Sequence, residues 1–567
     1  MRLNIVKSKN AQQFYVIKSY RENGKNTSKI VEKLGTLEEL SKIHEDPIAW
    51  AKEYINQLNM QEAEDKKEIV LKYSNSKLID KNQQVSFNGG YLFLQCIYHK
   101  IALNTICKSI SSKYKFDFNL DSILSRLIYS RILFPASKLA TFDLSAKFIE
   151  QPDFELHQIY RALDVIAKES DFIQSELYKN SLNVVKRNTG ILYYDCTNFF
   201  FETEEADGIR QYGISKDHRP NPLVQMGLFM DGNGLPLAFS ITPGNTNEQQ
   251  TLKPLEKKII SDFGKSKFVV CTDAGLASID NRKFNNISDR AFVTTQSIKK
   301  LKSYLKEWAL SPDGWTLDGK TKFNINKIDE KKYSDCIFFK ERWINDDNLE
   351  QRLIVTYSVK YRNYHKKIRE EQKSRAVKLL QSNAPKSEQS KQTDYKRFIT
   401  KTSVTKDGEI AENKIYTIAE ELIAEESRYD GFYGVCTNLS DNAKEIIKIN
   451  KRRWEIEESF RIMKTEFRSR PVYLSNDDRI KAHFITCFIS LLIYRILEKQ
   501  LEEKHTAENI LSTLREMNFH HIKGEGYIPI YKRTDITDKL HEKFGFRTDY
   551  QIVDNSTMKK ILKNSKK

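Results

Sequence analysis

Three carboxylates that lie far apart in the chain, Asp195, Asp273 and Glu457, stand where acid chemistry could be done. Asp195 closes "TGILYYD" and Asp273 closes "KFVVCTD", each behind a short continuous apolar run of the kind that forms a strand buried on both faces. Carboxylates at the ends of neighbouring strands can converge without being neighbours in sequence. Glu457 lies in "KINKRRWEIEESFRIMKTEF", residues 448–467, which predicts a helix. At about 100° per residue, Ile449, Ile456, Phe460, Met463 and Phe467 share an arc of about 60° that would face a core. Asn450, Arg453, Glu457 and Lys464 share another of about 60° beside it, whereas Glu455 and Glu458 point elsewhere, toward solvent. Three acids from three elements are hard anionic donors of the kind that hold Mg²⁺. Two such ions about 3.5–4 Å apart activate a nucleophile and stabilise the leaving oxygen of an in-line displacement at phosphorus. Each acid also has a plainer use: an Asp at a strand end forms turns or caps helices, and Glu457 stands one turn from Arg453, an i, i+4 pair.

The elements that must position these groups are readable in outline. "QFYVIKSYRENGKNTSKIVEKLG" alternates on either side of Asn23-Gly24 and predicts a hairpin within residues 1–40. Residues 41–188 carry helical spacing and no catalytic cluster. From 189 the period changes: a strand to Asp195, a hairpin about Asp231-Gly232-Asn233-Gly234, a helix after Asn247, and a strand to Asp273 make one unit over 189–296. Residues 297–428 break the rhythm with mixed short strands, a basic helix and the polar stretch 381–396, as an inserted domain with a mobile segment would. Strand and helix return over 429–503, with Ser440 or Asp441 as the expected cap of the helix that leads to Glu457, and 504–567 forms a C-terminal region.

The chain of 567 residues carries 93 Lys and Arg against 76 Asp and Glu, a formal charge of +17, so a polyanion is the first partner to consider. The excess concentrates between Lys360 and Lys406, where fourteen cations face four acids. Lys216, His218 and Arg219 cluster in "YGISKDHRP", close behind the first acid, where they could contact a DNA phosphate. The seven cysteines never form a CxxC pair, which excludes a zinc framework or disulfide scaffold and points to a reducing compartment. "MRLNIVKSKN" has no apolar core of a signal peptide, and "FITCFISLLIY" at 484–494 falls short of the roughly 20 residues of a spanning helix. A cytoplasmic protein with no membrane partner, and a buried helix at 484–494, are expected.

"YYDCTNFFFE", "GISKDHRPNPLVQMGLFMDGNGLPLAFSITPGNTNE", "VVCTDAGLAS" and "NKRRWEIEESFRIMKTEFRSRPVYL" resemble the DDE transposases of bacterial insertion sequences, in the IS-four superfamily with its Tyr-x2-Arg-x3-Glu-x6-Lys signature. The resemblance implies an α/β fold with an RNase H-like catalytic core interrupted by an inserted domain, after a helical DNA-binding region. It implies Asp195, Asp273 and Glu457 as the catalytic and metal-holding acids, Arg453 and Lys464 as the signature cations, and Mg²⁺ or Mn²⁺, two ions, as cofactor. The partners would be double-stranded DNA, at the element ends and at the target, and a second copy of the chain. Asn450 stands where the signature has Tyr, which keeps hydrogen bonds to a phosphate but loses the ring. An aromatic from the insertion, among Trp308, Trp315 and Trp343, would hold a flipped base if hairpin ends form. A nuclease that cuts without joining, and a DNA-binding relative with decayed catalysis, remain the alternatives.

Overall fold

The computed structural model describes residues 1–8, 11–22, 25–65, 71, 74–382, 394–404 and 413–567. Packing divides the chain into two units, Met1–Gln83 with Lys523–Glu525, and Gln84–Ile522 with Gly526–Lys567. In the first, β1 (Arg2–Lys7), β2 (Gln12–Glu22) and β3 (Lys25–Thr36) form an antiparallel meander, followed by α1 (Leu37–Ser41) and α2 (Pro47–Asp65). β2 and β3 pair as far as Glu22 and Lys25, and the predicted Asn23-Gly24 turn lies outside the described residues. A reciprocal Thr36–Glu39 capping box starts α1. Phe14, Leu40 and Ala51 bury together, so both helices pack with this sheet.

The second unit begins with β4 (Ser86–Asn88) and six helices: α3 (Tyr91–Lys100), α4 (Leu103–Lys113), α5 (Leu120–Leu133), α6 (Lys138–Ser145), α7 (Leu156–Lys168) and α8 (Ser170–Ser181). There follow β5 (Ile191–Phe200), β6 (Leu223–Asp231), β7 (Pro236–Pro243), α9 (Glu248–Phe263), β8 (Val269–Thr272), α10 (Ile279–Phe284), β9 (Ala291–Gln296) and α11 (Ser303–Leu310). Next come β10 (Phe338–Asp346), β11 (Leu349–Tyr357), α12 (Val359–Gln381), β12 (Ile399–Val404), β13 (Asn413–Ile418), α13 (Glu420–Ser427) and β14 (Phe432–Thr437). The chain closes with α14 (Ala443–Lys451), α15 (Trp454–Thr465), α16 (Asp477–Gln500), α17 (Ala507–Glu516), β15 (Asn518–Ile522), β16 (Gly526–Pro529), α18 (Asp535–Phe544), β17 (Val553–Asp554) and α19 (Asn555–Asn564).

A mixed eight-stranded sheet runs in the order β10-β11-β14-β9-β8-β5-β6-β7. Only β5–β8 and β8–β9 are parallel. β6 is buried along its whole length, Gln225 and Asp231 included, as a strand covered on both faces must be. The predicted β6–β7 hairpin forms, and the wholly buried Arg187–Asp231 pair, 2.6 Å apart, ties its turn to the preceding loop. Within the segment expected as an insertion, β10 and β11 extend the edge of this sheet, while β12 and β13 form a separate pair. The apolar run at 484–494 belongs to the longer α16, whose 24 residues contain a window apolar enough to cross a bilayer. That length exceeds the sequence expectation because flanking residues continue the helix; 94% of the window is buried inside the protein, against α5, α7 and β7. Each fully buried Leu, Ile or Phe there contributes about 1.5–3 kcal/mol.

Candidate active site

Parallel register places the first two acids. β5 and β8 pair at Ile191–Val269, Leu192–Val270 and Tyr193–Cys271, so Asp195 and Asp273 stand level, two residues beyond the last shared rung. Neighbouring strands lie about 4.8 Å apart. Asp273 immediately follows β8, as expected, and its Oδ1 accepts from the Leu276 N–H at 2.9 Å. Asp195 is not a strand end: β5 continues to Phe200 because β6 goes on pairing with it after β8 has stopped. Asp195 accepts from the adjacent Cys196 N–H at 2.8 Å, its one hydrogen bond among the described residues. Burial pushes its carboxyl up to about 6; Lys216 opposes that shift, Asp273 adds to it, and Arg453 opposes it.

The helix carrying the third acid is not continuous. α14 ends at Lys451 and α15 begins at Trp454, with Arg452, Arg453 and Glu455 donating to carbonyls three residues back, a local tightening that interrupts the α-helical phase. The Tyr193 hydroxyl donates to the Ile449 carbonyl at 2.9 Å, so β5 itself holds the break. The cap of α14 is Asn442, not Ser440 or Asp441; its side chain accepts from the Lys444 N–H. Behind α15, buried Arg495 donates to Ser459 Oγ at 2.8 Å and to the Glu455 carbonyl at 3.3 Å.

Glu457 is 55% exposed and pairs with Arg453 at 3.1 Å. The Arg453 guanidinium lies mostly buried; burial works against its charge, and Glu457, Tyr433, Asp195 and Asp273, in that order, hold it in place. Arg453 is therefore the group that relates the helix acid to the strand acids. Glu455 and Glu458 are not solvated as their helical phase suggests. Glu455 pairs with Arg452 at 2.8 Å and packs on Gly234, where a Cβ would fall 2.3 Å from its carboxylate. Glu458 pairs with Arg461 at 3.1 Å and faces Arg495 at 3.7 Å. Of the three glutamates, Glu457 lines the groove of about 640 Å³ together with Tyr361, Tyr364, Tyr433, Asn450 and Arg453, and Glu455 and Glu458 do not.

Of the remaining sequence candidates, Asn450 and Lys464 are placed less openly than expected, whereas Lys216, His218 and Arg219 are exposed. Asn450 is 6% exposed, and its amide donates to the Tyr433 hydroxyl, 3.3 Å away, which also meets Thr295 Oγ1 at 2.7 Å. Lys464 is buried to 12% side-chain exposure, lies over the Phe199 ring and faces Asp217 at 3.6 Å; burial brings its ammonium down to about 8. Arg470 makes the closer contact to the same Asp217. Lys216 pairs with Glu248 at 2.9 Å, and Arg219 lies over the Phe200 ring. His218 occupies the loop with φ of 58°. Trp315 is fully buried and bonds Ser311, while Trp343 is 48% exposed. Trp454, beside Glu457 and 56% exposed, was not singled out by sequence. Tyr433, Glu248 and Arg495 were missed as well, because each reaches the site from an element remote in the chain.

On α12 many cations are already engaged: Lys360 with Asp335, Arg362 with Glu330, Arg369 with Asp430 and Lys373 with Glu420. Much of the segment's charge thus serves the fold. Part of the basic stretch lies outside the described residues.

The transposase DDE domain family matches residues 190–493, and the N-terminal domain of IS1634 family transposases matches residues 3–68. The chain is similar to the piggyBac transposase of a cryo-EM synaptic complex with hairpin DNA, at 8% identity and a TM-score of 0.37, over 77% of this chain and 82% of that one. No curated protein matches the chain.

Proposed function

The chain belongs to the transposases that carry a DDE domain, and on that premise we propose that Asp195, Asp273 and Glu457 are the three carboxylates of its DNA-cleaving site. The observation that carries the reading is the level register of Asp195 and Asp273 on neighbouring parallel strands, with Arg453 relating both to Glu457. In this reading 189–296 and 429–503 are the two parts of an RNase H-like core, 297–428 is the insertion, 1–40 and 41–188 are arm and DNA-binding region, and 504–567 is a C-terminal region.

In donor chemistry the set suits a divalent cation, being three hard carboxylates of which Asp195 is buried and raised to about 6 beside Asp273, but the three carboxylates are not drawn together to ligand spacing in this structure, so the ions would have to gather them. Asp195, Asp273 and Glu457 would hold Mg²⁺ or Mn²⁺, two ions in this reading, which supply Lewis acidity at phosphorus and at the attacking and leaving oxygens. The chain's own groups do the positioning. Arg453, paired with Glu457 and within the electrostatic reach of Asp195 and Asp273, would steer a phosphodiester oxygen by a two-pronged contact. Tyr433, fixed by Asn450 and Thr295, supplies a hydroxyl from β14 on the wall of the same groove. Lys216 and Arg219 would contact flanking phosphates, with His218 in the same loop, while Lys464 and Asn450 act by holding neighbours rather than DNA.

The reaction is cutting at the element's terminal inverted repeats to expose 3′-hydroxyls, which then attack target DNA, with two copies of the chain holding two ends. The test uses duplexes bearing the element ends and, separately, pre-cleaved ends with a target plasmid. Cleavage and joined product support transposition, whereas cutting without joining identifies a nuclease. Binding without either reaction, in Mg²⁺ and in Mn²⁺, identifies a decayed relative.

A further inference from the structure

Away from the acids, a cavity of about 340 Å³ opens between the start of α6 and the segment 468–474, with Arg131, Lys138, Arg468, Arg470 and His483 among its lining. No carboxylate lines it among the described residues. Lys138 is 6% exposed, and among the described residues no acid or hydrogen-bond acceptor pairs with its ammonium. Arg131, 5% exposed, donates to the carbonyls of Phe467 at 3.0 Å, Arg468 at 3.4 Å and Ala136 at 3.2 Å, while its Nε has no partner. Three carbonyls leave that positive charge without a counter-ion. Arg470 alone is compensated, by Asp217. His483 sits against the Ser469 carbonyl and is held neutral by burial and by the two cations.

Buried cations without an anion are costly, and chains retain them where something anionic arrives. The first turn of α6 adds to the case. Ser137 caps the Ala140 N–H with its hydroxyl, leaving the Lys138 and Leu139 amides, which have no intrahelical acceptor, at the positive end of the helix. We propose that this cavity is a phosphate-type oxyanion site, in which Lys138 and Arg131 neutralise the charge and the α6 amides and Ser137 take the oxygens. The volume exceeds that of several waters, so the oxyanion can carry a substituent. Its two possible sources are a DNA backbone phosphate and a free phosphate compound. The site is independent of the catalytic reading, since none of its residues is one of the three acids. Burial, with Arg131 adding to it, holds the Lys138 ammonium down to about 7, as expected of a cation waiting for its anion.

The test is a thermal-denaturation titration of the full chain with inorganic phosphate against chloride at equal ionic strength, comparing wild type with Lys138→Met and Lys138→Arg. Wild type should gain stability saturably and Lys138→Arg should follow it, whereas Lys138→Met should melt higher than wild type in chloride and ignore phosphate. Equal responses of wild type and Lys138→Met overturn the site. Should Lys138→Met fail to fold, the wild-type titration decides, and no saturable gain over chloride overturns it. Short duplex DNA then assigns the source by anisotropy with and without saturating phosphate. Phosphate that weakens duplex binding by wild type, but not by Lys138→Met, places a backbone phosphate in the cavity; duplex binding indifferent to phosphate places a free phosphate compound there.

Discussion

The strand acids and the helix acid are held by different means. Asp195 and Asp273 are carried on backbone whose register is fixed two residues earlier by the pairing of β5 with β8, so their Cα separation follows from strand spacing. Glu457 rides on a short helix that begins at a break, is more than half exposed, and is aimed by its pair with Arg453 and by the Arg495 contacts behind it. In the proposed site, backbone pairing would give a rigid half and side-chain pairing an adjustable half.

The largest effects should come from the rigid half. Asp195→Asn and Asp273→Asn should each lower end cleavage by about a thousandfold or more while leaving end binding within about twofold, because groups that act as a unit fail together. Gel-shift and cleavage assays on one duplex check this, and chelation of divalent ions should match the loss. Glu457→Gln should fall nearly as far. Should Glu457→Asp, whose carboxylate is one methylene shorter, keep more than about a tenth of the activity while Asp195→Glu keeps none, the contrast between an adjustable and a rigid half is sharpened; equal losses would erase it.

Next in size is Arg453→Lys, which keeps the charge and loses the planar fork. It should lower cleavage about tenfold or more with little change in binding. A change under about twofold would reduce Arg453 to a helix-surface pair of roughly 0.2–0.5 kcal/mol. Tyr433→Phe removes one hydroxyl from the groove and from Asn450. A loss of about two- to tenfold in cleavage is expected, with Asn450→Ala giving a similar loss through the same hydroxyl; a much larger effect of Asn450→Ala alone would show that Asn450 itself contacts the substrate.

The smallest effect concerns α12. Lys366→Gln with Lys367→Gln should flatten the slope of log K against log salt by less than about 2, since each phosphate contact contributes about 0.9 for duplex DNA. Arg369→Gln, which breaks the pair with Asp430, should instead lower thermal stability. An unchanged slope in the lysine pair would assign this helix wholly to structure.

Much of the scaffold of the proposed site was legible in the sequence because the information there is local. The apolar runs before Asp195 and Asp273 specify buried strands, and the Asp-Gly-Asn-Gly turn specifies the hairpin between them. Helical phase set Glu457 apart, and Glu457 is the most exposed of the three glutamates, but phase misassigned Glu455 and Glu458 to solvent, since it ignores what later packs against a helix: here Arg452, Gly234 and Arg495.

What the sequence by itself determined is the type of each element and the chemistry of its residues, because side-chain periodicity and turn preference act over a few positions. What only the tertiary structure decided is which elements meet. The level of Asp195 with Asp273 depends on the parallel pairing of β5 with β8. The break before Trp454 depends on a tyrosine hydroxyl from β5, and the burial of Asn450 under Tyr433 on a strand seventeen residues away. The acid-free cavity about Lys138 depends on residues more than three hundred positions apart. Each of these rests on non-local contacts, and the energy of a contact exists only once the chain has closed the loop that makes it.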